Sequence, residues 1–358
     1  MQPGITTPQK TNSTVIPDDA CPVCGQRAAF SLKARDYHYG NPGIYTLYHC
    51  GACGHNFQYP LPQEKELEGY YPTTYYAHQS IQSDAKPRYL RHPGRWVVAH
   101  YCRLRRGYTH LRLWPNPALA FLGWCRLVRK RRDLNVPRYR CNGSLCDFGC
   151  GSGGALTLFQ LYGWKAEGIE ISEAAVAAGR SAGLQITRGS IEVLESRPKA
   201  FDVIRSSHCV EHMSDIQRLF RAFYHALRPG GLLAIEVPNG SSAAAEIYRD
   251  GWYYLGLPTH VHLFSPLSLT QIAAQNGFEG ITIETLSFWQ THAASWLLCR
   301  DLRARKESPQ LDSRGRLEMA LARIPTLGSF LRSLPAGRGD CLILVCRRPA
   351  SGAASNSV

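Results

Sequence analysis

Ser144-Leu-Cys-Asp147-Phe-Gly149-Cys-Gly151-Ser-Gly153-Gly154 is the stretch of this sequence that decides the fold. An apolar run leads into a turn that is dense in glycine, and a helical pattern opens directly after the turn. Glycine lets a backbone turn sharply and approach a ligand closely. The stretch therefore predicts a strand, a ligand-binding turn and a helix, which together are the first βα unit of an α/β sheet.

The chain that follows repeats this alternation of short apolar runs and helical stretches, which is typical of βαβ units. Strands are predicted near 144–149, 165–171, 184–188, 201–206, 231–237, 280–287 and 340–347. Helices are predicted at 154–162, 173–182, 214–228 and 266–276. The predicted fold class is therefore α/β, with a doubly wound, mostly parallel sheet of seven strands.

The spacing of the glycines and the aspartate that precedes them distinguish this turn from a dinucleotide-binding turn. The turn has the spacing G-x-G-x-G, in Gly149, Gly151 and Gly153, where dinucleotide folds have G-x-G-x-x-G. S-adenosylmethionine has no phosphate, and Asp147 can meet the ammonium group of its amino-acid tail. Glu170, at the end of the second predicted strand, can accept hydrogen bonds from both ribose hydroxyls. The predicted ligand is S-adenosylmethionine; a purely structural turn with a surface glutamate is the alternative.

Two further motifs follow in order, Phe201-Asp-Val-Ile-Arg-Ser-Ser-His208-Cys-Val-Glu211-His212 and Leu227-Arg-Pro-Gly-Gly231. Together with the glycine turn they resemble the class I S-adenosylmethionine-dependent methyltransferases, which have a Rossmann-like sheet, over roughly residues 144–290. The resemblance implies that residues after the second, third and fourth strands also bind the cofactor. These residues are Ile171, Ser190, Ile191, Ser207 and His208. Many members have an aspartate where Ser190 stands, which weakens the expected contact with adenine.

Downstream residues resemble a subgroup that includes sugar C-methyltransferases and polysaccharide and natural-product methyltransferases. The matching pieces are Glu236-Val-Pro-Asn239, Tyr253-Tyr254 and Pro258-Thr-His260-Val-His262-Leu-Phe-Ser265. In that subgroup a tyrosine and a His-x-His loop lie beside the substrate. The loop here reads Thr-His-Val-His and not Tyr-His-Glu-His, so the glutamate between the two histidines is missing. Histidine is the natural base near neutral pH. His260, His262 and Tyr254 are the predicted catalytic residues, with His208 as a further candidate; helix capping is the alternative for the histidines.

Two Cys-x-x-Cys pairs lie near the N-terminus. Cys21 and Cys24 form the first pair, Cys50 and Cys53 form the second, and glycine follows each pair. Two such pairs can present four thiolates to one tetrahedral ion. The spacing predicts a structural Zn²⁺ site in a small zinc-ribbon-like module; a redox pair or a knuckle without metal is the alternative.

The whole chain of 358 residues divides into five predicted segments. They are a disordered leader (1–19), a zinc-binding module (20–60), a linker with a basic helical segment (61–140), a methyltransferase domain (141–348, with a helical insertion at about 290–337) and a disordered tail (349–358). The start of the chain lacks the pattern of a secretory signal, so a cytoplasmic location is expected.

The formal net charge is +14, and it is concentrated in residues 86–140 and 300–348. These segments predict a lid for an anionic acceptor, or peripheral contact with an anionic membrane surface. A solvated basic face is the alternative. Nucleic acid is not an expected partner, because the aromatic residues are not spaced as a stacking platform.

The sequence predicts an enzyme that methylates carbon or oxygen of a small-molecule, nucleotide-sugar or glycan acceptor by in-line displacement. Two alternatives stay open. The first is a cofactor-binding scaffold without turnover, and the second is an RNA or protein methyltransferase.

Overall fold

The structure is a computed structural model that describes residues 20–71, 93–111, 113–130, 137, 143–304 and 316–350. The predicted leader, most of the predicted tail, and parts of the predicted basic segments lie outside the described residues.

A small antiparallel sheet of four strands contains the N-terminal cysteines. Numbered in chain order, its strands are β1 (Ala29–Ala34), β2 (Tyr45–His49), β3 (Asn56–Gln58) and β9 (His262–Leu263), and this is also their order in the sheet. The fourth strand therefore comes from far along the chain, where it pairs Phe57 with His262. The Ser265 hydroxyl adds a hydrogen bond of 2.6 Å to the Cys53 carbonyl. The cysteine module and the larger domain are consequently joined by backbone pairing.

A seven-stranded sheet forms the larger domain. Its strands are β4 (Ser144–Phe148), β5 (Lys165–Glu170), β6 (Ile186–Arg188), β7 (Phe201–Ser207), β8 (Leu227–Pro238), β10 (Glu279–Leu286) and β11 (Cys341–Arg347). Their order is β10-β11-β8-β7-β4-β5-β6, and β11 is antiparallel to both of its neighbours. The remaining strands run parallel, so the predicted doubly wound, mostly parallel sheet is confirmed.

Twelve α-helices are assigned within the described residues. They are α1 (Glu64–Gly69), α2 (Pro93–Arg105), α3 (Pro117–Lys130), α4 (Gly154–Leu161), α5 (Glu173–Ser181), α6 (Ile191–Glu195), α7 (Ile216–Ala226), α8 (Ala243–Tyr248), α9 (Pro266–Gln275), α10 (Trp289–Arg303), α11 (Arg316–Leu321) and α12 (Leu327–Arg332). Among the described residues, no helix combines the length and the apolar character that crossing a membrane requires.

Helix α7 illustrates how the sequence builds the layer against the sheet. Ile216, Phe220 and Phe223 lie on one face at helical spacing, and all three are buried. Phe223 meets Phe148 of β4 edge to face, with ring centroids 5.4 Å apart. Asp215 caps the helix by accepting a hydrogen bond from the backbone of the first turn. Each buried side chain of this kind contributes ~1.5–3 kcal/mol, which fixes β4 and its carboxyl end in the core.

Candidate functional site

A cavity of about 510 Å³ opens at the carboxyl ends of β4, β5 and β7. This is the point where the strand order reverses, the usual position of a ligand site in open α/β sheets. Its volume is within the range of small-molecule sites. The residues that line it include Leu67, Tyr71, Asp147, Gly149, Gly151, Glu170, Ile171, Gly189, Ser190, Arg205, Ser207, His208 and His212.

The glycine turn forms the floor of the cavity, and two of its glycines have no room for a side chain. Gly149 has φ +73°, a backbone conformation that favours glycine. A Cβ atom at Gly149 would lie 2.3 Å from Cys209 Sγ. Gly153 has φ +89° and is the N-cap of α4, and a Cβ there would lie 2.4 Å from Leu184 Cδ1. Gly149 therefore keeps the backbone close to the cavity, and Gly153 allows it to pack closely against Leu184.

Glu170 ends β5 with its carboxylate at the rim of the cavity. One oxygen accepts a hydrogen bond of 2.8 Å from the Gly151 amide, and the other accepts one of 2.9 Å from the Ser172 amide. These bonds fix the carboxylate between the glycine turn and the start of α5. Each oxygen keeps a second lone pair for a ligand hydroxyl.

Asp147 forms an ion pair with Arg205 that is not evident from the sequence. The two residues are register partners on β4 and β7, and their side-chain atoms are 2.6 Å apart. Both side chains are largely buried, with 2% of Asp147 and 15% of Arg205 exposed. Burial raises the pKa of Asp147, although Arg205 opposes the shift. A buried aspartate requires a cationic partner, so the sequence alone indicates that Asp147 needs one. Only the register of β4 against β7 identifies that partner as Arg205.

Three of the predicted cofactor-binding residues, Ile171, Ser190 and Ile191, have different positions. Ile171 is 50% exposed and lines the cavity, so its apolar face is available to a planar ring. Ser190 also lines the cavity, and its amide donates a hydrogen bond to Glu192. Ile191 is buried in the core below them.

His208 and Glu211 form a pair at the end of β7. His208 Nδ1 lies 3.1 Å from the carboxylate of the fully buried Glu211. Burial alone would lower the pKa of His208, but hydrogen bonds to Cys341 and Glu211 outweigh it and raise that pKa well above its usual value. Burial likewise opposes ionisation of Glu211, yet the hydrogen bond from His208 holds its pKa to about 2. Glu211 is therefore a buried carboxylate that orients a cavity-lining histidine.

His212 lines the same end of the cavity and is held from two sides. Its Nδ1 lies 2.8 Å from the Thr259 carbonyl oxygen and 2.8 Å from the Tyr71 hydroxyl. The ring edge of His260 packs on it, with centroids 4.8 Å apart. A ring N–H that donates to a backbone carbonyl fixes the tautomer, which leaves Nε2 as the basic nitrogen.

The three residues predicted to be catalytic lie behind this surface. His260 donates its Nδ1 hydrogen to the Tyr254 carbonyl at 2.8 Å, and the Tyr254 ring stacks on His208. Burial lowers the pKa of His260 to about 3, and the neighbouring His212 adds to the shift. His262 is fully buried in β9, with its Nδ1 3.0 Å from His55 of the cysteine module. His262 therefore lies at the junction of the two sheets.

Helix α1 and the residues just after it form part of the cavity wall, which the sequence does not indicate. Leu67 of α1 and Tyr71 line the cavity shortly after the cysteine module in the chain. Within the predicted linker of residues 61–140, only the tyrosines hint that this segment contributes to a binding site. The module thus positions part of the cavity wall.

The four N-terminal cysteines converge on one point. Their Sγ atoms all lie within 4.8 Å of one another, and the closest pairs, Cys21 with Cys53 and Cys24 with Cys50, are 3.6 and 3.5 Å apart. Sulfur atoms bound to one tetrahedral Zn²⁺ at ~2.3 Å are ~3.8 Å apart, so the geometry fits that ion.

Comparison with known proteins identifies the family to which the chain belongs. A family profile described as a methyltransferase domain matches residues 101–283, just over half of the chain. The ubiquinone biosynthesis O-methyltransferase of Sinorhizobium fredii is 26% identical over 183 residues, which are 48% of this chain and 73% of that protein. Its counterpart from Brucella anthropi is 27% identical over 204 residues, 52% of this chain and 80% of that protein.

Solved structures show similarity at lower identity. An S-adenosylmethionine-dependent methyltransferase from Archaeoglobus fulgidus is 21% identical with a TM-score of 0.42, covering 65% of this chain and 100% of that one. Phosphoethanolamine N-methyltransferase 2 of Haemonchus contortus, in complex with S-adenosylmethionine, is 17% identical with a TM-score of 0.44, covering 75% of this chain and 60% of that one.

Proposed function

Since the chain belongs to the methyltransferase-domain family and is an S-adenosylmethionine-dependent methyltransferase, we propose that it methylates an oxygen or carbon atom of a small acceptor. The proposed acceptor is a nucleotide sugar or glycan, and a histidine of the cavity removes its proton. The single observation that carries this proposal is the meeting of the glycine turn and His212 in one cavity.

The cofactor is proposed to lie across the ends of β4, β5 and β6. Glu170 accepts hydrogen bonds from the ribose hydroxyls, while Ile171 and Ser190 contact the adenine. Asp147 meets the ammonium group of the methionine tail, and Arg205 beside it meets the carboxylate. Gly149, Gly151 and Gly153 leave room for the tail, Ile191 supports the adenine side from the core, and Ser207 and His208 face the methyl group.

His212 is the proposed base. Thr259 holds the Nδ1 hydrogen, so Nε2 is free to accept a proton from the acceptor. The sulfonium of the bound cofactor supplies an activated methyl group, and the protein therefore has to align the acceptor and remove one proton. His260 and Tyr254 contribute from behind by holding the ring of His212 and the loop around it. His262 supports the same loop by tying it to the cysteine module.

The cysteine cluster is proposed to hold a structural Zn²⁺. Four thiolates fill a tetrahedral ion, so this site has no open position for a substrate. The cysteine module pairs with β9, and its His55 lies 3.0 Å from His262, so Zn²⁺ would stabilise the junction between the module and the larger domain.

Peripheral contact with an anionic membrane surface is also part of the proposal. Leu317, Leu321, Ile324 and Leu331 are exposed on α11, on α12 or between them. The surrounding segment 300–348 is basic. Exposed aliphatic groups beside basic side chains suit a surface that lies on anionic lipid. Flotation with vesicles that contain phosphatidylglycerol tests this; recovery equal to that with neutral vesicles would exclude it.

Calorimetry with S-adenosylhomocysteine tests the cofactor site. Glu170→Ala should weaken binding about 10-fold or more, because a ribose contact to a charged group is worth ~1.5–3 kcal/mol. Glu173→Ala is the matched control, since Glu173 is an exposed carboxylate three residues away. Equal affinity of the two variants would contradict the ribose assignment.

Acceptor identity is tested with a labelled methyl donor and a panel of nucleotide sugars, free glycans, RNA and protein. The proposal expects label in the nucleotide sugars or glycans. Label in RNA or protein alone would replace it with the corresponding macromolecular methyltransferase.

A further inference from the structure

A second cluster of metal-ligand side chains lies where three neighbouring strands of the large sheet meet. His208 directly follows β7, Glu236 lies in β8, and Cys341 begins β11. One ligand atom from each residue lies within 4.8 Å of the others. His208 Nε2 and Cys341 Sγ are 4.0 Å apart. Nitrogen and sulfur ligands on one tetrahedral Zn²⁺ are ~3.5 Å apart, so a small side-chain rotation brings the three donors onto one ion.

The residues behind these donors hold them as metal ligands are usually held. A metal-binding histidine typically directs its other ring nitrogen to a carboxylate, which orients the ring and increases its basicity. His208 Nδ1 is directed at the fully buried Glu211, 3.1 Å away, and its Nε2 therefore points towards Cys341. The Ser207 hydroxyl donates a hydrogen bond of 3.1 Å to Glu236. Two of the three donors thus have a fixed orientation before any ion binds.

The donor set selects a class of ion. A thiolate and an imidazole favour borderline transition metals such as Zn²⁺ or Co²⁺, whereas Mg²⁺ and Ca²⁺ prefer oxygen ligands alone. Three protein ligands leave one position of a tetrahedral ion open, as catalytic zinc sites do. Because His208 also lines the cavity, the cluster borders the space that the proposed acceptor would occupy.

We infer that His208, Glu236 and Cys341 form a transition-metal site, separate from the N-terminal cysteines, that binds an oxygen atom of the acceptor. The site itself follows from the cluster, whereas its role in binding the acceptor rests on the proposed function. A bound ion would hold the acceptor oxygen beside His212 and favour loss of its proton.

The test is a metal count on the full chain produced in cobalt-supplemented medium. The wild type is compared with Cys341→Ala and with Cys346→Ala, a buried cysteine of the same strand that belongs to neither cluster. The wild type and Cys346→Ala should each hold one more equivalent of Co²⁺ per chain than Cys341→Ala. The thiolate-to-cobalt absorption of Cys341→Ala should also fall by the contribution of one thiolate.

Glu236→Gln provides a second variant in case Cys341→Ala does not fold, and it should also lose one equivalent. An equal metal content in the wild type and in the folded variants of this cluster overturns the inference. Binding of S-adenosylhomocysteine is measured on the same samples. If the wild type binds S-adenosylhomocysteine but holds no additional equivalent of Co²⁺, only the inferred metal site is excluded. If the wild type does not bind S-adenosylhomocysteine, the proposed function is excluded.

Discussion

The two halves of the cavity are built in different ways. The proposed cofactor half, formed by Asp147, Gly149 and Glu170, comes from two successive βα units within 24 residues. The proposed acceptor half, formed by Tyr71 and His212, joins segments 141 residues apart. Backbone geometry dominates the first half and long-range side-chain contacts dominate the second. The difference suggests that substitutions in the cofactor half should change ligand affinity, whereas substitutions in the acceptor half should change turnover.

Replacement of the proposed base gives the largest expected effect. His212→Gln should lower kcat by about 10²–10⁴-fold, which is the range for loss of a general base. Its affinity for S-adenosylhomocysteine should stay within about 2-fold, because the residue belongs to the acceptor half. His225→Gln, at an exposed position of α7, is the matched control. Steady-state kinetics and calorimetry separate the two quantities, and an unchanged kcat would exclude His212 as the base.

The geometry of the proposed cofactor half was largely predictable from sequence because the residues that form it are local. The glycine spacing needs only a strand, a turn and a helix, and Glu170 follows at the end of the next strand. The ion pair of Asp147 with Arg205 was not predictable, because it depends on which strands become neighbours.

The acceptor half could not be assembled from sequence. A His-x-His loop predicts two histidines on one side, but His260 and His262 point to different environments in the structure. His260 packs on His212, and His262 packs on His55 of the cysteine module. The pairing of β3 with β9 determines this, and no local pattern in either segment indicates that pairing.

Substitution of the glycine turn should produce the next largest effect, and it should act on affinity. Gly149→Ala places a Cβ 2.3 Å from Cys209 Sγ in a left-handed backbone conformation, so the turn has to move. A cost of about 2 kcal/mol or more is expected, from ~1–2 kcal/mol of backbone strain and the additional overpacking. S-adenosylhomocysteine should bind at least about 30-fold more weakly by calorimetry.

Gly328→Ala is the control for that substitution, because a Cβ at this helical position of α12 meets no atom within 4 Å and Gly328 is not among the residues that line the cavity. It should leave affinity unchanged and stabilise α12 slightly. If both alanine variants bind the cofactor like the wild type, the turn does not form the floor of the site and the contrast between the two halves fails.

The last expected effect concerns stability in acid, not ligand binding or turnover, and comes from His260. Its folded pKa is about 3, whereas an unfolded histidine titrates near ~6.5. Between these values the unfolded chain binds a proton that the folded chain excludes, so stability falls as the pH falls from 6.5 towards 3. At pH 4.5 the loss from this residue is at most about 2–3 kcal/mol, since each pH unit contributes ~1.4 kcal/mol.

His260→Asn should remove that part of the pH dependence in urea unfolding measured at pH 7.5 and 4.5, while His225→Asn should retain it. An identical pH dependence in both variants would show that the ring accepts a proton in the folded state, and the acceptor half would then be more open to water than the cofactor half.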